Sequence, residues 1–147
     1  MLIIGHRNVE EAKLTQRIKL ERVDSKRMPY PNLEFDLVVS NSLVHHLPDP
    51  LSLFAEIQRL VKLDGAILIR DLIRPESDEL VNDLVAKIGG DYDTHQQQLF
   101  RDSLKAALTI AQVQELIDRV GLLQVKLTQS SELHWTIERK KNVIDRV

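Results

Sequence analysis

The stretch Phe35 to Asp71, FDLVVSNSLVHHLPDPLSLFAEIQRLVKLDGAILIRD, decides how the chain is read. Two apolar runs, Phe35 to Ser40 and Ala66 to Ile69, flank an amphipathic helical pattern. Strand, helix and strand in that order make a βαβ unit, which predicts that the two strands are parallel. Neither FDLVV nor AILI alternates apolar with polar residues, as expected of strands buried on both faces. Between them Asp49-Pro50 opens the helix, since a carboxylate accepts from a free N–H and proline suits the first helical position. Leu51, Phe54, Ile57, Leu60 and Val61 recur at helical spacing up to Asp64-Gly65, where glycine is expected to take the left-handed stop. Ligands of open α/β sheets bind outside the carboxyl ends of the strands, so SNSLVHHLPDP, directly after the first strand, is where chemistry is expected.

Working outward, a chain of 147 residues, 43% hydrophobic and 29% charged, predicts one domain with one core. A net charge of −2 supplies no attraction for nucleic acid or an anionic membrane, and neither is expected as a partner. The absence of cysteine excludes disulfides, Cys-based metal sites and a thiol nucleophile, and points to a cytoplasmic protein. No apolar run reaches the roughly 18 residues of a membrane span, and MLIIGHRN lacks the pattern of a signal peptide.

Leu2, Ile3 and Ile4 open the chain apolar, and RNVEEAKL continues as helix former, so the chain reads as starting inside an element. Arg17 to Asp24, RIKLERVD, partly alternates and predicts an edge strand with one wet face. MPYPN at Met28 to Asn32 is a loop, because each proline fixes its own φ and pushes the preceding residue out of helix. Downstream, Leu80, Val81, Leu84, Val85 and Ile88 form a helical stripe ended by Gly89-Gly90. THQQ at Thr94 and TIAQ at Thr109 match the capping box and predict two more helices, the second stopping at Gly121. Leu122 to Thr128 and Leu133 to Glu138, separated by QSSE, read as a closing β-hairpin with Trp135 inside it, and ERKKNVIDRV reads as a solvated tail.

The loop VDSKRMPYP, the strand and loop FDLVVSNSLVHHLPDP, the segment EIQRLVKLDGAILIRDL and the terminal GLLQVKLTQSSELHWTIE together resemble the later part of a class I, Rossmann-like S-adenosylmethionine-dependent methyltransferase. The resemblance implies an α/β fold with sheet order 3-2-1-4-5-7-6 and strand 7 antiparallel. Arg17 to Asp24 would be strand 3, Phe35 to Ser40 strand 4, Ala66 to Asp71 strand 5, and the hairpin strands 6 and 7. It has no counterpart in this sequence for the family's strand 1, glycine-rich loop, or strand 2 with its acidic end. KLDGA also departs from the usual Pro-Gly-Gly before strand 5. The expectation is therefore a single methyltransferase-type domain, incomplete at its N-terminus. It leaves the Phe35 strand with an unpaired edge, a hazard that something must cover. Three ways are open: the Arg17 to Asp24 strand pairs with it, a second copy covers it as a homodimer or strand-swapped oligomer, or the sequence is a piece of a longer protein.

The resemblance implies S-adenosylmethionine as cofactor and a small-molecule methyl acceptor. Asp24 and Ser25 would meet the adenine, and Ser40 and Asn41 would lie near the methionine portion; as plain turn formers Asp24 and Asn41 would only cap strand ends. His45 and His46 can take a proton from a nucleophilic acceptor. Adjacent histidines cannot both chelate from one face of a regular element, so no metal is expected, and the bland reading packs one ring under the next helix with the other at the surface. Asp71 and Arg74 can line an acceptor pocket or form a surface ion pair. Arg101, Ser103 and His134 fall where this family varies its acceptor site. Methyl transfer from a sulfonium needs alignment more than a fixed set of catalytic groups. The reading is a methyltransferase; the alternative is a non-catalytic module of the same fold that dimerises or docks on a partner.

Overall fold

Both apolar runs of the central stretch are strands, β1 (Phe35–Asn41) and β2 (Val61–Leu72), and they pair in parallel from Leu37 opposite Ala66 to Asn41 opposite Arg70. The computed structural model describes residues 2–141. Between the strands lie a 3-10 turn (Val44–His46) and helix α2 (Leu51–Leu60), preceded in the chain by α1 (Leu2–Glu11). After β2 come α3 (Asp78–Ile88), α4 (Thr94–Ala106), α5 (Ile110–Val120) and the hairpin β3 (Lys126–Ser131) and β4 (His134–Arg139). The sheet order is β1-β2-β4-β3, with β4 antiparallel to both neighbours. This is the order expected of strands 4, 5, 7 and 6, so the α/β, Rossmann-like fold class holds.

Val38, Ile67, Ile69, Trp135 and Ile137 from the sheet form the main core with Phe54 and Ile57 of α2 and Val113, Leu116 and Ile117 of α5. Trp135 is fully buried, as hairpin packing requires. A smaller core joins Leu72 to Val81, Leu84 and Val85 of α3 and Leu104 of α4. The expectation of strands buried on both faces fails for β1. Leu37 and Val39 are 54% and 57% exposed, and Leu68 beside them on β2 is 43% exposed, because no helix among the described residues lies over that part of the sheet.

Local sequence explains most ends. The Asp49 carboxylate accepts from Leu51 N–H at 3.1 Å, Ser77 caps α3 through Leu80 N–H, and Thr109 with Gln112 forms a capping box. Gly121 adopts φ +67 after α5, the conformation in which a Cβ is penalised. For α4 the box begins one residue earlier than expected, at Asp93 with Gln96, since an aspartate accepts more strongly than a threonine and takes the capping place.

Four other expectations are corrected. Arg17 to Asp24 forms no strand. Its apolar Ile18 and Val23 are each 40% exposed, and Glu21 is taken up by the Lys19 ammonium and the Tyr30 hydroxyl rather than by a ladder. It therefore does not pair with β1, which is an edge of the described sheet. Gly65 is not a helix stop, because β2 starts directly after Leu60. The register steps from Phe35–Val61 to Leu37–Ala66, so Lys62 to Gly65 bulge from the ladder. A Cβ on Gly65 would lie 2.9 Å from Val61 Cγ2 and 3.1 Å from Phe35 O, so here glycine serves close approach. The hairpin's first strand begins at Lys126 rather than Leu122, since Gln124 has φ +59 and breaks extension before it. Glu138 lies in the hairpin's second strand as expected, but Arg139 also belongs to β4 rather than a tail. Arg139 donates through Nε to Gly65 O (2.8 Å) and through Nη2 to Lys62 O (3.0 Å). Residues 142–147 of the expected tail lie outside the described residues.

The MPYPN loop is as expected, and it is docked. Arg59 of α2 donates to the carbonyls of Met28 and Tyr30 and to Glu56, whose carboxylate accepts from Met28 N–H at 2.7 Å. The hydrogen bonds from the Arg59 guanidinium hold Glu56 below the usual carboxylate range, against the opposing effect of burial. No helix among the described residues is long and apolar enough to cross a membrane.

Candidate active site

Parallel pairing of β1 and β2 brings two strand ends together, and the chain leaves β1 sharply. Ser42 has φ +54 and its N–H donates to Arg70 O at 3.0 Å. A non-glycine residue in this conformation marks a constrained position. The exit aims Val44 to His46 back across the end of β2, where Asp71 is 1% exposed.

Three donors converge on the Asp71 carboxylate. Oδ2 accepts from Val44 N–H at 2.6 Å, and Oδ1 accepts from Leu72 N–H at 2.7 Å and lies 2.6 Å from His45 Nδ1. The side chains of His45 and Asp71 are only 5% and 1% exposed. A carboxylate can only accept, so Nδ1 carries the hydrogen and the lone pair of the neutral ring sits on Nε2. His46 is exposed, with its ring centroid 4.0 Å from that of His45. The pair thus divides as the packing reading had it, one ring enclosed and one at the surface, while the enclosed ring also has an oriented partner. The suggested Asp71–Arg74 surface ion pair does not form: Asp71 is buried and committed to His45, and Arg74 Nε donates to Ala107 O at 2.8 Å.

The other candidates are dispersed. Arg101 donates to Asn82 across α3 and α4, which accounts for its position without a ligand. Ser131 Oγ lies 2.9 Å from His134 Nδ1. Burial first, and then the Arg70 charge, hold His134 below the usual histidine value, with Asp71 opposing. Asp24 Oδ1 accepts from Lys26 N–H at 2.9 Å, the turn-forming arrangement. Ser25 is half-buried, Asn41 is exposed, and Ser40 Oγ is buried with no hydrogen-bond partner among the described residues. The sequence reading missed Ser42 and the Val44 amide, and it placed His45 and Asp71 in separate roles. The one legible clue was that both flank strand ends of a parallel pair.

The fit to S-adenosylmethionine is one-sided. Ser40, whose hydroxyl has no hydrogen-bond partner among the described residues, and Asn41 end β1, where a ligand of such a sheet would sit, whereas Ser25 follows a segment that forms no strand. Among the described residues, however, no glycine stands at a strand's carboxyl end: Gly5 is in α1, Gly65 in the β2 bulge, and Gly89, Gly90 and Gly121 follow helices. Asp24, the acidic candidate here, is engaged in its own turn.

The fold is that of class I S-adenosylmethionine-dependent methyltransferases. Residues 1–69 match the family model described as a methyltransferase domain. The uncharacterized methyltransferase YcgJ of Bacillus subtilis is 29% identical over 77 residues, covering 50% of this chain and 30% of that protein. Its crystal structure superposes with a TM-score of 0.62 at 18% identity, over 89% of this chain and 50% of the other. Demethylmenaquinone methyltransferase of Lactobacillus johnsonii is 28% identical over 75 residues, 51% of this chain and 31% of the relative. A methyltransferase of Aquifex aeolicus, described as SAM-dependent, superposes with a TM-score of 0.60 at 13% identity, over 90% of this chain and 58% of that one. The chain thus spans about a third of the length of the curated relatives it matches.

Proposed function

We propose that this chain takes part in S-adenosylmethionine-dependent methyl transfer to a small-molecule acceptor, and that His45, oriented by Asp71, receives the acceptor's proton. The carrying observation is the buried 2.6 Å contact between His45 Nδ1 and Asp71 Oδ1 at the carboxyl ends of adjacent parallel strands. When bound, S-adenosylmethionine supplies an electrophilic methyl group. The chain's own residues orient and deprotonate. Asp71 fixes the tautomer, and the low exposure of the ring limits competition from water. Ser25, Ser40 and Asn41 are the residues that would hold the cofactor, and a cytoplasmic location belongs to this reading.

Calorimetric titration with S-adenosylhomocysteine tests the cofactor half. Heat with a one-to-one endpoint supports it, and silence at millimolar ligand defeats it for this chain. With an acceptor in hand, His45→Gln is expected to lower kcat/KM by about 10²–10⁴-fold, the usual worth of a positioned base. A variant as active as the parent would remove His45 from the reaction.

A second reading has its own observation, the exposed Leu37 and Val39 on edge strand β1. In it the chain is a non-catalytic module, and a second copy pairs along β1 as a homodimer or strand-swapped oligomer. Light scattering that returns a monomer, together with fast exchange of the outward β1 amides, would exclude it.

A further inference from the structure

Beyond the carboxyl end of β2, on the side away from β1, a cavity of about 690 Å³ lies between α3, the start of α5 and the β3–β4 turn. That volume lies within the range of small-molecule sites. Neither His45 nor Asp71 lines it, so it is a different place from the candidate reaction centre. Ile73, Leu80, Leu84 and Ile110 give it apolar walls.

Its charges are unequally placed. Lys87 is paired with Glu132 at 3.1 Å, both side chains 65% exposed. Glu76 and Asp83 are exposed at the rim. Arg74 is half-buried and forms no ion pair among the described residues. Its Nε is held by Ala107 O at 2.8 Å, which fixes the plane of the guanidinium while the terminal nitrogens have no hydrogen bond among those described. A guanidinium stays charged and presents a planar fork that matches a carboxylate. A partly desolvated cation interacts more strongly with an incoming anion than solvated rim carboxylates repel it. Those same carboxylates work against a doubly charged head such as a phosphate monoester.

We propose that this cavity binds a small molecule with an apolar body and a single carboxylate, the carboxylate on Arg74. The site stands on the cavity and on Arg74, independently of methyl transfer.

The test is an NMR titration of the full chain with hexanoate, hexanol and hexylamine, with hexyl phosphate as a fourth ligand. Hexanoate is expected to bind in the millimolar range and to shift the amides of Ile73, Leu84 and Ile110. The other three should bind about tenfold more weakly, the step expected when a charge-assisted hydrogen bond is lost or repulsion is added. Arg74→Gln should weaken hexanoate about tenfold, and Lys87→Gln by less than about threefold, as for an exposed charge already paired. Equal binding of hexanol would reduce the cavity to an apolar groove. Preference for hexylamine would give the rim acids control, and preference for hexyl phosphate would overturn the choice of head group. Absence of shifts at millimolar hexanoate would also overturn the proposal. Should Arg74→Gln not fold, Glu76→Gln is the substitute: it should tighten hexanoate about two- to threefold by removing rim repulsion, and unchanged or weaker binding counts against the site.

Discussion

Leu68 and Ile69 are neighbours in β2 that point to opposite faces of one sheet, yet Ile69 is fully buried and Leu68 is 43% exposed. On Ile69's side α2 and α5 close a continuous core with Trp135 and Ile137. On Leu68's side α3 and α4 cover only the carboxyl end, around Leu72. The apolar content of a strand shows what its faces can accept, whereas covering depends on which helices are present. The difference also bears on the candidate site: Asp71 shares the covered face with Ile67 and Ile69, so its contact with His45 is enclosed, while Leu37, Val39 and Leu68 on the other face stay exposed.

The comparison can be broken by substitution, measured by urea unfolding. Trp135→Ala on the covered face should lose the most, about 3–5 kcal/mol; a loss below about 1 kcal/mol would mean that the core is not packed as described. Asp71→Ala should cost about 3 kcal/mol, since the N–H groups of Val44 and Leu72 lose a buried acceptor. Asp71→Asn should cost less, because its amide oxygen still accepts. Glu56→Ala should cost about 1–2 kcal/mol, with faster hydrogen exchange at the Met28 amide as the local reading. Leu68→Ala should stay within about 0.5 kcal/mol, and a loss above 2 kcal/mol would show that the open face is covered in solution. The smallest effect is on pH dependence. His134 titrates below its ordinary 6.5 in the fold, so the unfolded chain binds protons first as the pH falls. The stability it contributes is full above 6.5 and declines as pH drops from there toward the lowered folded value. His134→Gln should flatten that part of the stability curve and leave pH 8 unchanged.

Much of the architecture was legible because it is written locally. The βαβ order, the stripe of α3, the Thr109 box and the Gly121 stop are each fixed by residues within a few positions of one another. What misled was settled at a distance. Arg17 to Asp24 alternates well enough for a strand, but a strand needs a neighbour, and its Tyr30 and Lys19 partners hold Glu21 elsewhere. Gly65 looked like a helix stop until Arg139, 74 residues on, proved to hold its carbonyl. At the site, His45 and Asp71 were each visible as residues near strand ends. Their pairing was not, because a carboxylate 26 positions from its histidine leaves no mark in local spacing.

The Arg139 clasp on the β2 bulge also sets an order of events. Lys62 and the guanidinium that holds its carbonyl are 77 positions apart, and β4, the strand that fills the other side of β2, comes with that arginine. At a synthesis rate of about 5–20 residues per second, the interval between the two is about 4–15 s. During that time the nascent β2 can hold α2 and β1 but must wait with its other edge bare, so its apolar run is open to association until the hairpin arrives.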